Sequence, residues 1–387
     1  MLAYHNPSCQ CVILPCLSIT ADWPTFPPNS FVLPKELRLP HPSPLLEGRD
    51  STALLEKKRE MRTRPAATIH TLVIESEAYQ IGKSMHAIVL AAFLGISRIA
   101  IAMCSAGVAV FLIGVLGAKT EIAQARGLDK IVALTNLCVA VPLAVFGALH
   151  LFAPQFVIGI VPAYMPWRMF WVYFVGCGLM AAALSIASKI GVRWSGLLFG
   201  IMMFSFVAII HFPGALRDPH NRILWTIVFR EMSFGGAGWI LAGNATNGWR
   251  GPAKSTLITV GRILIAIAAI VFGIEHFLHP MGLPGVPLEK QMPAWIPGRA
   301  LIDYVTGAAL LVVGGSVLLN RKTRTVATCV GGWILLMVLI IYGPVLIGAL
   351  SQPGIGVEVE GINYFADTLL FAGAILALAS ATPSAAS

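Results

Sequence analysis

Long apolar runs separated by short polar segments recur along the chain from residue 86 almost to its end. A membrane-spanning helix needs about 20 consecutive, mostly apolar residues. Backbone groups in lipid must be satisfied within the segment, which favours helices over open strands. The pattern therefore predicts eight spanning helices after residue 130. Their expected bounds are 132–152, 169–188, 194–213, 223–243, 257–277, 300–319, 326–346 and 362–381.

A further apolar run, residues 86–118, contains one charged residue, Arg98. It is long enough for a ninth, tilted helix or an uncleaved signal anchor, and Lys83 is also placed as the basic flank of a signal peptide. Hydrophobic residues make up 57% of the chain and charged residues 12%, against roughly 45–50% and 25% in soluble domains. The sequence therefore predicts an all-α polytopic membrane protein and excludes a soluble enzyme.

The first 84 residues have a different character, with ten prolines and no sustained hydrophobic period. One interpretation is a disordered, Pro-rich tail. The other is a mis-assigned gene start, with Met61 or Met85 as the true beginning. Residues 85–129 then form a hydrophobic N-terminal segment followed by a linker on the cytoplasmic side.

The two sets of four predicted helices match each other in sequence. The matching segments are Phe146–His150 with Phe272–His276, Pro154 with Pro280, Pro162–Arg168 with Pro293–Arg299, and Tyr173, Gly176, Arg193, Gly200 and Pro213 with Tyr304, Gly307, Arg324, Gly331 and Pro344. A five-residue insertion separates the first matches from the later ones. We therefore predict two tandem four-helix bundles, residues 130–248 and 249–387, both with the same orientation across the membrane.

Loop charges orient the predicted helices. The formal net charge of the chain is +9, but the two sets of loops differ strongly. The basic set contains Lys119, Arg126, Lys130, Lys189, Arg193, Arg250, Lys254, Arg262, Arg321, Lys322 and Arg324. The opposite set, with the adjoining helix ends, is net acidic. Since Lys and Arg favour the cytoplasmic side, we expect a multi-pass protein of the bacterial cytoplasmic (inner) membrane with its C-terminus in the cytoplasm.

One conflict follows from this orientation. If residues 86–118 span the membrane as a ninth helix, the basic segment 57–64 must lie on the outer side. That placement violates the charge rule, so it favours a mis-assigned start or a signal segment.

The repeated motif Phe-Gly-x-x-His-x-x-x-Pro, at Phe146–Pro154 and Phe272–Pro280, resembles the DoxX/DoxD-type family of bacterial membrane proteins. The segment Ile160–Pro166 also resembles the "VPPYLP" segment of that family. The resemblance covers residues 130–382 as two fused family-like units and implies a four-helix membrane bundle in each. Some relatives are assigned as quinone-linked oxidoreductase subunits. Many relatives carry a carboxylate after the glycine of the second helix, where this chain has Leu179 and Leu310.

Polar residues within the predicted helices concentrate near the outer, acidic ends. An ionisable group at bilayer depth costs about 2.5–3.5 kcal/mol on insertion scales and should face a partner or a cavity. We therefore predict an outer polar cluster. Its members are His150, Arg168, Arg230, Glu231, His276, His279, Arg299, Asp303 and Asp367.

Each candidate also has a structural interpretation. Arg230 and Glu231 lie deepest, and we expect each to pair with another helix, since adjacent helical positions point in different directions. His276 and His279, with Asp303 nearby, give only a weak metal signal, and no metal is predicted. An Arg placed like Arg168 or Arg299 more often snorkels to the interface than binds an anion.

Three functions remain open from the sequence alone. The first is a membrane subunit of a quinone-linked or other redox system, which rests mainly on the resemblance. The others are a small-solute or ion transporter and a non-catalytic scaffold. The expected partners are the lipid bilayer and a membrane or redox protein, not nucleic acid. The cofactor is unknown, with quinone possible, and whether the chain is an enzyme stays open.

Overall fold

The computed structural model describes residues 95–245 and 249–382. Within these residues the backbone forms nine long helices and no strand. Their bounds are α1 Arg98–Gln124, α2 Thr135–Phe152, α3 Arg168–Ser188, α4 Val192–Arg217, α5 Arg222–Asn244, α6 Gly251–Leu278, α7 Arg299–Leu318, α8 Thr323–Leu350 and α9 Ile355–Ser380. The expectations for residues 1–84 lie outside the described residues.

The prediction of an all-α polytopic membrane protein is confirmed. Eight of these helices, all except α5, are long and apolar enough to cross a membrane. The eight helices expected after residue 130 all form. Helix α5 carries Arg230 and Glu231 and is rich in glycine, which lowers its hydropathy. Because α5 packs among α4, α6 and α9, its polar side chains are shielded from lipid.

Helix α1 begins later than the apolar run predicts. Ser97 caps it by accepting a hydrogen bond from the Ala100 amide, 3.2 Å away, and the helix continues to Gln124. Small residues on one face, including Gly107 and Gly114, pack against α2 and α3, while apolar residues on other faces remain exposed. This packing agrees with the ninth-helix alternative. Residues 86–94 lie outside the described part of the chain.

The helices alternate in direction, which separates two faces. We call the side where α2, α4, α6 and α8 end the acidic face, and the opposite side the basic face. On the basic face, Arg324 pairs with Asp129 at 2.8 Å and Lys189 pairs with Glu121 at 2.5 Å. Helix α1 starts at the acidic face, where the Ser97 amide donates to Glu358 Oε1 at 3.0 Å.

The two halves, residues 130–248 and 249–382, interlock. The fourth helix of each half packs against the first helix of the other half, α5 on α6 and α9 on α2. Helices α5 and α9 also contact each other, and 83% of an apolar 18-residue stretch of α9 is buried. Glycine permits the closest approach, because a Cβ at Gly236 of α5 would meet the Gly261 carbonyl of α6. The halves therefore share one bundle instead of forming two closed ones.

Both halves contain a π-helical segment at the same place. Val207–His211 lies within α4 and Val338–Tyr342 within α8. Each precedes a proline, Pro213 or Pro344, whose missing N–H and bulky ring disturb the preceding helical turn. The last residue of each π-helical segment lies near the acidic face.

Candidate functional site

The deepest charged residues form a three-residue ion network between α5 and α9. Arg230 donates to Asp367 Oδ2 at 2.9 Å and to Glu231 Oε1 at 2.8 Å. Both carboxylate residues are buried, and the Arg230 side chain is only 17% exposed. Arg230 Nε has no hydrogen-bond partner among the described residues. One cation thus faces two carboxylates at the centre of the bundle.

The structure corrects one expectation about this network. Arg230 does pair across to another helix, through Asp367. Glu231 does not, because its carboxylate accepts from the neighbouring Arg230. The long Arg230 side chain lets its guanidinium reach both carboxylates. Arg230 and Glu231 therefore pair although adjacent helical positions point in different directions.

His276 is buried near the end of α6, and its hydrogen bonds define its protonation form. Its Nδ1 lies 2.6 Å from the Phe272 carbonyl oxygen, which can only accept, so Nδ1 donates. Its Nε2 accepts from the Gly285 amide at 3.0 Å. Both ring nitrogens are therefore satisfied in the neutral imidazole. Nε2 lies 3.8 Å from Asp303 Oδ1, but a neutral ring forms no ion pair.

The loop between α6 and α7 enters the bundle at the acidic face. We call residues 281–292 the plug. It is hairpin-like, with the Leu283 amide donating to the Lys290 carbonyl at 3.1 Å and the Met292 amide to the Met281 carbonyl at 2.8 Å. All residues from Leu283 to Leu288 are buried. The plug therefore closes the acidic end of the second half.

Side chains from three surrounding helices hold the plug. Tyr342 of α8, the last residue of the π-helical segment, donates to the Pro284 carbonyl at 2.9 Å. Arg222 of α5 donates to the Pro287 carbonyl at 3.0 Å. Lys290 of the plug pairs with Glu360 of α9 at 3.4 Å. The first two bonds satisfy plug carbonyls that burial would otherwise leave without partners, and the ion pair ties the plug to α9.

Asp303 of α7 lies beneath the plug and is fully buried. Neither carboxylate oxygen completes a hydrogen bond within the described residues. The backbone amides of Met281 and Gly282 approach the carboxylate from the plug. The Tyr364 hydroxyl of α9 is likewise without a hydrogen-bond partner in the described structure, although its residue is only 4% exposed. Buried polar atoms of this kind are uncommon in proteins.

The other predicted site residues lie nearer the edge. His279 is half-exposed, and its Nε2 is 3.7 Å from Glu275 Oε2. His150 is half-buried, and its Nδ1 is 2.7 Å from the Phe146 carbonyl. Arg168 donates to the Val161 carbonyl at 3.0 Å, and Arg299 to the Met292 carbonyl at 3.1 Å. Both arginines thus brace the loops that precede their own helices.

The structure therefore brings Arg230, Glu231 and Asp367 together, and places His276 beside Asp303. It does not bring His150 and Arg168 of the first half to that cluster. Within residues 95–245 and 249–382, no group of three or more His, Cys, Asp or Glu side chains is arranged to hold a metal ion.

The sequence reasoning missed the plug, which it treated only as an insertion. The signal was present, because Leu283–Leu288 alternates apolar residues with proline and glycine and carries no charge. A loop of that composition gains from burial if its backbone finds partners. Thr306 and Trp333 were also missed. The Trp333 indole donates to Thr306 Oγ1 at 3.0 Å, one turn below Asp303.

No protein-family model matches the chain, and neither a curated protein nor a solved structure is significantly similar to it. The function is therefore inferred from the geometry of the site.

Proposed function

We propose that the chain is a tandem duplication of a DoxX/DoxD-like four-helix unit. Corresponding positions in the two halves support this. Each half has a π-helical segment before a proline. His150 and His276 each contact the carbonyl four residues earlier. Arg168 and Arg299 each donate to the carbonyl seven residues earlier. Independent origins would not be expected to reproduce three such details.

We further propose that the second half binds the head group of a small membrane redox carrier of the quinone class. The observation that carries this proposal is the convergence of unpaired, buried polar atoms beneath the plug. The carbonyl oxygens of a quinone accept hydrogen bonds. Tyr364 Oη and Arg230 Nε are buried donors without partners in the described structure, and they lie on the contacting helices α9 and α5. These two donors fit such a group, which would supply the electron-transfer chemistry when bound.

The transporter alternative has less support. On α9 the charged residues end at Asp367, and the segment from Leu370 to Ala379 is buried and entirely apolar. A transport path would have to cross that region. A scaffold role accounts for the ion network but gives no role to the unpaired Asp303 and Tyr364.

The proposed orientation places the basic face in the cytoplasm of a bacterium and the plug on the outer side of its inner membrane. The charge asymmetry of the loops supports this orientation. A protease-protection assay on a C-terminal tag tests it, and digestion of that tag in right-side-out vesicles would contradict it.

Quinone binding tests the proposed function. The purified protein in lipid nanodiscs is titrated with a short-chain ubiquinone while its tryptophan fluorescence is recorded. We expect saturable quenching, with Kd raised about three- to tenfold in Tyr364→Phe because one donor is lost. Tyr304→Phe, which changes a lipid-exposed tyrosine, is the matched control and should bind like the wild type. Absence of saturable quenching, or equal Kd values in both variants, would contradict the proposal.

A further inference from the structure

Two buried aspartates in the second half differ in their partners. Asp367 of α9 accepts from Arg230 at 2.9 Å and has its charge compensated. Asp303 of α7 is fully buried, and both of its oxygens lack a hydrogen-bond partner among the described residues. The ion network thus explains Asp367 but leaves Asp303 without a structural role.

No cation faces Asp303 from the surrounding elements as described. From α6, His276 is neutral because its Nε2 already accepts from the Gly285 amide. From α8, the Tyr342 hydroxyl donates to the Pro284 carbonyl. On α7 itself, Arg299 lies one turn earlier and donates to the Met292 carbonyl. The plug amides of Met281 and Gly282 are directed at the carboxylate, and the neutral His276 ring lies 3.8 Å from it.

This arrangement argues against a metal cation at Asp303. A bound metal ion needs several oxygen or nitrogen ligands, and no group of three metal-ligating side chains occurs in the described structure. The plug amides of Met281 and Gly282 direct N–H groups at the carboxylate, and their positive ends repel a cation. A proton needs only the carboxyl group itself.

We propose that Asp303 is a membrane-embedded proton-binding site, reached from the acidic face and gated by the plug. A carboxyl group buried without a cation is most easily held as the neutral acid, and it ionises when water reaches it. Water reaches Asp303 only when residues 281–292 move out of their buried position. Release of the proton is therefore linked to movement of the plug. This inference does not depend on quinone binding.

Carbodiimide labelling tests the proposal. A protonated carboxyl in apolar surroundings adds to the N=C=N group to give an O-acylisourea, whose acyl group then migrates from oxygen to nitrogen to give a stable N-acylurea. The full chain in nanodiscs is treated with dicyclohexylcarbodiimide over a range of pH, and peptides are quantified by mass spectrometry. We expect Asp303 to be labelled, with labelling that falls as pH rises, and Asp367 to be labelled at least tenfold less. An unlabelled Asp303, equal labelling of the two residues, or protection by sodium ions at constant pH would overturn the proposal.

A second measurement tests the gate. A water-soluble carbodiimide reaches Asp303 only past the plug, so Tyr342→Phe, which removes one plug hydrogen bond, should raise its labelling rate several-fold. Tyr304→Phe is the matched control and should leave the rate unchanged. An equal rate in the two variants would overturn the gating. Because the first measurement uses the wild-type chain, a variant that fails to fold would not affect it.

Discussion

The two halves of the bundle have the same order of helices, with a π-helical segment in the third, but different chemistry. In the first half, Val172 and His211 occupy the positions that correspond to Asp303 and Tyr342 in the second. The loop after α2, residues 153–167, is partly exposed, whereas the loop after α6, residues 279–298, is longer and enters the bundle. The second half therefore carries a buried carboxyl group and a buried loop at places where the first half has Val172 and a partly exposed loop.

The difference also shows which features serve the fold and which serve the site. The π-helical segments and the arginines at 168 and 299 occur in both halves, so they belong to the common scaffold. The plug and the unpaired carboxylate beneath it occur only in the second half of the described chain. Paired variants, one in each half, distinguish features that serve the fold from features that serve the site.

Arg230→Met should have the largest effect on stability. It leaves two buried carboxylates without their cation, and breaking a buried ion pair in this way costs about 3–5 kcal/mol. Arg168→Met, which removes an arginine that contacts only backbone carbonyls as described, should cost about 1 kcal/mol. Thermal unfolding in nanodiscs compares the two, and equal shifts in Tm would contradict the role of the ion network.

His276→Phe should have the next largest effect. It removes two hydrogen bonds in a buried site and leaves a plug amide unsatisfied, which costs about 1–3 kcal/mol. His150→Phe removes the corresponding residue of the first half, which is half-buried and makes a single described bond. We expect it to cost less than about 1 kcal/mol. The same unfolding assay compares the two variants. A larger loss of stability in His150→Phe than in His276→Phe would contradict the proposed difference between the halves.

Tyr342→Phe should have the smallest effect of the three. It removes the O–H that satisfies the Pro284 carbonyl, at a cost of about 1 kcal/mol. Tyr304→Phe makes the same atomic change on the lipid-exposed surface and should stay within about 0.5 kcal/mol of the wild type. If both variants melt like the wild type, Tyr342 does not hold the plug.

The sequence predicted the helices well because their signal is local. Each spanning segment is a continuous apolar run, and the main differences are at helix starts. Helix α1 begins at Arg98, after the Ser97 cap, whereas α6 and α9 begin at Gly251 and Ile355 instead of residues 257 and 362. The candidate site was predicted as a list of polar residues, and the list contained Arg230, Asp303 and Asp367. Their partners were not predictable, because contacts between α5 and α9 depend on how the halves interlock.

The plug shows the limit of the sequence argument most clearly. Its burial depends on partners from α5, α6, α8 and α9, such as Arg222 and Tyr342, which are distant in sequence. A hydropathy pattern identifies a loop between two helices but does not show whether neighbouring helices supply donors for its backbone.

Hydrogen–deuterium exchange on the wild-type chain in nanodiscs tests the contrast between the halves most directly. The amides of Leu283, Gly285 and Met292 are hydrogen-bonded within the closed plug. The loop 153–167 of the first half is partly exposed, and its backbone hydrogen bonds are local, as in the short helix Pro154–Val157. The account predicts exchange at least a hundredfold slower in residues 281–292 than in residues 153–167. Equal exchange rates in the two loops would contradict a plug buried in the bundle and the polar site beneath it.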